Sequence, residues 1–195
     1  VGGLGFLGTL GYNGWVRHSD LRWKRADATQ QLFSQRFKDP YVMQATSMLD
    51  IIEYQLKDPD NDMQVVGSTH YGVVAGALNR LTEVPHYAQG SIDLTIRKSF
   101  DALLELFVDI EIGLQGRILY PSMVQAKVGY LVDCIAADPD LNLAVQVYAQ
   151  RAGYPGAAHF FRRFKSNLPE DHIKKARQAL DGGPSDFGGR ANFRA

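Results

Sequence analysis

Four carboxylates, Asp101, Glu105, Asp109 and Glu111, stand in one stretch of helical apolar spacing, and the first three lie four residues apart. On a helix that spacing lines them along one face. Inward-facing helical carboxylates can hold a di-iron centre, but such bundles also need Glu-x-x-His units on two further helices. The one candidate, Glu83-Val84-Pro85-His86, has a proline inside the turn that should align its ligands. The acids therefore read as the wet side of a central helix.

Asp58, Asp60 and Asp62 begin like a calcium loop, as do Asp138, Asp140 and Asn142. In the first, Met63 stands where the sharp turn requires glycine and Thr69 where a bidentate glutamate should close the cage; in the second, Leu143 and Ala149 occupy those places. Both read as loop and helix-start devices. His18, His70, His86, His159 and His172 show no metal-ligand spacing. Cys134 has no basic neighbour in sequence to lower its pKa, so it reads as an inert thiol. Neither a G-x-S-x-G elbow nor a phosphate-binding G-x-x-x-x-G-K is present. No catalytic residue, metal or cofactor is assigned, and a non-enzymatic role is expected.

The start, VGGLGFLG, matches G-x-G-x-x-G at Gly3, Gly5 and Gly8. A dinucleotide turn needs a buried strand ahead of it and an acid closing a second strand, and only Val1 and Gly2 precede the motif here. The longer stretch to Val16 is sixteen residues without a charge. It ends in Tyr12 and Trp15 and runs into a collar of Arg17, Arg22, Trp23, Lys24 and Arg25. An apolar run, then aromatic rings, then cations is the order of a membrane exit on the cytoplasmic side. Gly5, Gly8 and Gly11 would allow close packing within the bilayer. Sixteen residues reach roughly 24 Å against a hydrocarbon core of about 30 Å, so the span is expected to be incomplete at its start. The competing expectation is a glycine-rich arm folded back over the domain.

The rest must position these groups, and its spacing is helical nearly throughout. Helices are expected over 19–37, 40–57 (Tyr41, Ala45, Met48, Leu49, Ile52 and Leu56 inward), 68–84, 91–119, about 121–137, 139–152 and 156–168, with KDPDNDMQ at 57–64 as a loop. The strongest stripe is Ile96, Phe100, Leu103, Leu104, Phe107, Ile110 and Leu114. A last helix begins at Pro169, and Gly182-Gly183-Pro184 ends it. With no sustained two-residue alternation, the expected fold is an all-α bundle of about seven helices after an N-terminal transmembrane or membrane-associated segment. Its parts are 1–16 (span), 17–38 (basic juxtamembrane helix), 39–181 (helical domain) and 182–195 (tail).

Net charge is zero over 195 residues, yet 1–38 carry six Lys/Arg against two acids, 39–150 six against fifteen, and 151–195 nine against four. Phe160, Phe161 and Phe164 are expected inward, leaving Arg162, Arg163 and Lys165 as a basic face for a partner or lipid. The acidic middle disfavours nucleic acid, which needs a continuous phosphate-tracking surface.

At FVDIEIGLQGRILYPSMVQAKVGYLV (107–132), an acid-bearing helix, a short glycine-containing turn and a second helix, the chain resembles an uncharacterised bacterial family of single-span proteins with a cytoplasmic all-helical domain. The resemblance covers about residues 20–165 and implies that layout, with Asp109 and Glu111 near an acid typical of the family. The family has no established activity, so it carries over no catalytic residue. The expectation is a single-pass accessory or scaffolding subunit whose cytoplasmic domain docks on an integral membrane protein complex and on lipid. The alternative is a soluble helical ligand-binding protein or enzyme, its arm over a pocket.

Overall fold

The structure, a computed structural model, describes residues 3–51, 53–79 and 91–164, the side chains of 3–18 and of residue 91 excepted. Among them are seven helices: α1 (Gly3–Arg36), α2 (Pro40–Asp50), α3 (Tyr71–Asn79), α4 (Ser91–Gln115), α5 (Pro121–Ala137), α6 (Pro139–Arg151) and α7 (Pro155–Arg163). A two-stranded antiparallel hairpin, β1 (Tyr54–Asp58) and β2 (Gln64–Thr69), lies between α2 and α3. The mostly helical fold agrees with expectation. The expected helix at 169–181, the tail, Lys165, and the Glu83–His86 unit lie outside the described residues.

Local chemistry starts the helices. α2, α5, α6 and α7 each begin at a proline, whose fixed φ suits the first helical position and whose missing N–H costs nothing there. Asp39 accepts from the Tyr41 amide (2.8 Å) and Asp138 from the Leu141 amide (2.8 Å), two side-chain N-caps.

α4 is the axis. Its predicted stripe is buried from Ile96 to Ile110, Leu106 is buried as well, and α2, α3 and α7 pack around it. Against α7, Phe107 stacks on Phe160 (centroids 4.5 Å apart) and meets Phe161 edge-on at 5.4 Å. Offset and edge contacts of this kind add about 0.5–1.5 kcal/mol each beyond the area they bury. α6 packs on α3 and α5.

Two expectations are corrected here. The helix expected to reach residue 57 stops at Asp50, because Ile51 is extended (φ −113°, ψ 127°) and the chain enters β1. Leu56 is fully buried, as its apolar character requires, but it reaches the core from a strand. KDPDNDMQ is accordingly a hairpin end: Asp58 C=O accepts from the Asn61 (3.2 Å) and Met63 (3.1 Å) amides, with Asp62 and Met63 at φ 47° and 59°. Five residues are too few to show alternation when a bulge between Leu56 and Lys57 shifts the register.

Candidate functional site

α1 is one helix from the glycine-rich start into the domain. It is solvent-exposed over 20–24 and becomes buried only at Thr29 and Phe33. Three contacts fasten that lower part. The Thr29 hydroxyl accepts from the Tyr120 amide (2.9 Å) and donates to the Arg25 carbonyl (2.7 Å). Phe33 is buried and its ring lies 5.7 Å from that of Phe37. Arg36 Nε donates to Asp109 Oδ2 (2.9 Å), its Nη2 meets the same oxygen, and its Nη1 lies 3.7 Å from Glu105.

These pairings fix direction. Arg36 meets Asp109 inside α4, whereas Thr29, roughly 10 Å back along α1, meets Tyr120 beyond the end of α4. The two helices are antiparallel, so the α4–α5 turn lies at the end of the domain from which the first half of α1 departs.

That turn is a six-to-one helix stop. Ile118 N–H donates to Gly113 C=O (2.8 Å) and Arg117 N–H to Leu114 C=O (3.2 Å). The left-handed position, usually glycine, is held by Arg117 at φ 54° although Gly116 is its neighbour. Gly113 is required by packing: a Cβ there would lie 2.5 Å from Leu119 Cγ.

α7 ends beside the same turn. Arg163 Nε and Nη2 donate to the two oxygens of Glu111 (2.8 and 2.7 Å), and Gln115 adds a third bond at 2.9 Å. Glu111 is 3% exposed, and the Arg163 bonds hold its carboxyl below the usual range against the opposing effect of burial. The Arg163 guanidinium is pushed up in return. Arg36 is likewise raised, chiefly by its bond to Asp109.

The wet-face reading fits the exposed Glu105 and, in part, the half-buried Asp101 and Asp109, and is corrected for Glu111, which is buried. Asp101 accepts from Tyr148 Oη (2.7 Å), Asp109 holds Arg36, Glu111 is buried on Arg163, and only Glu105 is exposed. Each acid joins α4 to another helix, and the partner cations stand 73 and 52 positions away, beyond any local pattern. Burial and Asp101 together push the Tyr148 hydroxyl far up, so it remains a donor. Among the described residues no group of three or more His, Cys, Asp or Glu side chains converges to hold a metal. The Cys134 thiol, half-buried, is pushed up by burial first and then by Asp50 and Asp133.

Arg22, Trp23 and Lys24 are exposed, Trp23 at 74%, and Arg25 is half-buried. Gly5, Gly8, Gly11, Tyr12, Trp15 and Arg17 fall in the part of α1 whose backbone alone is described. Arg162 is exposed, with Nε 3.3 Å from Ala158 C=O, while Arg163 turns inward to Glu111. Composition did not single out Thr29, Arg36, Arg117 or Ile118. A cleft of about 480 Å³ opens between α1 and the start of α5, lined by Trp23, Lys24, Ala26, Asp27, Gln30 and Met123.

Both signs of charge occur at each end of α4. Arg22, Lys24, Arg25, Arg117, Arg162 and Arg163 lie at the α1-exit end together with Asp20, which pairs with Lys24, and Asp27, while Arg97 and Lys98 stand in the first half of α4. Asp93, Asp50, Asp133, Asp138 and Asp140 gather where α4 begins and α5 passes into α6.

Comparison with family models, with curated proteins and with solved structures finds no match to this chain. Among the described residues no helix is long and apolar enough to cross a membrane.

Proposed function

We propose that the chain is a non-catalytic, membrane-anchored accessory or scaffolding subunit that holds a cytoplasmic helical domain against a larger membrane protein assembly. The supporting observation is the continuity of α1, which carries the uncharged glycine-rich run through the collar of Arg17, Arg22, Trp23, Lys24 and Arg25 into the Thr29, Phe33 and Arg36 contacts. An anchor that is also a structural helix of the domain passes position and orientation from one to the other. The uncharged run reaches about 24 Å and is read as the later part of a span that is incomplete at its start. Tyr12 and Trp15 would sit at the interface, the collar among headgroups, and Gly5, Gly8 and Gly11 against a neighbouring span.

The single-span family that residues 107–132 resemble has this layout. The unbroken course of α1 favours the anchor over a folded-back arm, the arrangement of the soluble ligand-binding or enzymatic reading. Fractionation of the chain with its native start is the test. Retention in the membrane pellet through high-salt and carbonate washes is expected, with release by detergent; recovery in the supernatant without detergent removes the anchor.

A further inference from the structure

We infer that the α4–α5 turn is a second lipid contact, in which Arg117, Ile112 and Ile118 rest on the headgroups of an anionic bilayer while α1 leans over. The inference rests on the anchor reading and adds the surface and the lipid class it meets.

Three observations converge on this turn. It lies at the end from which the first half of α1 leaves, as the antiparallel Arg36–Asp109 and Thr29–Tyr120 pairs fix. It exposes large apolar side chains there, Ile112 at 59% and Ile118 at 57%, beside the exposed cations Arg117 and Arg162. Isoleucine tips among guanidinium groups fit an interface that is anionic at the surface and apolar beneath. Of the described acids near the turn, Glu111 is buried on Arg163 and Asp109 is held by Arg36, while Asp27 on α1 stays exposed. Finally, Arg117 adopts a left-handed backbone with a glycine next to it, so the chain keeps a cation at the apex where glycine would be more comfortable.

Distance sets the geometry. From Arg17 to Thr29 is roughly 18 Å along α1, of which the headgroup layer fills about 5–8 Å. An upright α1 would leave the turn about 10 Å short. With helix axes about 10 Å apart, leaning α1 toward α4 by roughly 40°, the upper end of the observed range of tilts, brings the turn to within reach of an arginine side chain. The contact therefore specifies both the direction and the size of the tilt.

The test uses the full chain in vesicles of phosphatidylcholine, with or without phosphatidylglycerol. An environment-sensitive fluorophore is placed through Ile118→Cys, or at the opposite end through Asp140→Cys, in a Cys134→Ala background whose thermal unfolding is matched to the parent. Doxyl-labelled lipid should quench the label at position 118 in anionic vesicles, leave the one at 140 in water, and quench about fivefold less when Arg117→Gln is added. Hydrogen exchange of the 116–120 amides in the unsubstituted chain gives an independent readout, with slowing expected in anionic vesicles only. Chain that survives a high-salt wash on vesicles while position 118 stays in water overturns the turn contact and leaves the anchor standing. Quenching at 118 that salt removes together with the chain supports the contact and rejects the anchor. Shielding that appears only on addition of solubilised membrane proteins assigns the turn to a protein partner and overturns the inference.

Discussion

Arg36, the last residue of α1, donates to Asp109 in the second half of α4, seventy-three positions along the chain. With Thr29 and Phe33, the bond holds the end of α1, which is exposed over 20–24, to the domain. Thr29 and Phe33 fix the height of α1, and Arg36 fixes its rotation, because both Nε and Nη2 reach a single oxygen.

The pair is half-buried, with 29% and 38% of its side chains exposed, so solvent screening holds its worth to about 1 kcal/mol. A double-mutant cycle of Arg36→Ala and Asp109→Ala, read by urea unfolding, should give a coupling energy of that size. A coupling indistinguishable from zero would mean the pair does not hold α1.

Glu111 and Arg163 differ because the carboxylate is almost fully enclosed. Its folded pKa is lowered from 4.5, so the pair's contribution is complete above that value and drains away as pH falls through the lower, folded value. Glu111→Gln should cost about 2 kcal/mol at neutral pH and flatten the loss of stability below pH 4.5. An acid limb of the same steepness in the variant would sink the assignment.

Much of the fold is legible in sequence, and the reasons are local. Asp39-Pro40, Tyr120-Pro121 and Asp138-Pro139 mark helix starts, and the α4 stripe declares which face is inside. Leu56 shows the limit: a buried leucine fits helix spacing from Met48 and Leu49 equally well, and only the extended Ile51 decides for a strand. The candidate site is less legible, because the fates of Asp109 and Glu111 depend on Arg36 and Arg163, brought to them by tertiary packing. The basic collar was readable as a string of cations. That Arg22, Lys24 and Arg25 lie at the same end of the domain as Arg117 required the antiparallel placement of α1 and α4.

Thr29 joins α1 to the N-terminus of α5 through the Tyr120 amide. Thr29→Val keeps shape and volume but leaves that N–H without its acceptor, at an expected cost of about 1–2 kcal/mol. Hydrogen exchange at Tyr120 should accelerate before any change in the α4 core amides. Unchanged exchange there would show that another group satisfies the amide.

Arg117 offers a separation of stability from function. Its left-handed backbone costs an L-residue roughly 1–2 kcal/mol, and part of the relief on going to glycine is offset by the greater freedom of the unfolded chain. Arg117→Gly should therefore raise stability by about 0.5–1 kcal/mol, visible as a higher midpoint in thermal or urea unfolding. If the turn meets anionic lipid, the same substitution weakens vesicle contact while the protein becomes more stable, so the two measurements move in opposite directions. Arg117→Asn, which tolerates the left-handed region but lacks the charge, should share the loss of lipid contact with a smaller gain in stability. A variant that gains stability and keeps full contact with anionic vesicles would show that Arg117 is not what meets the headgroups.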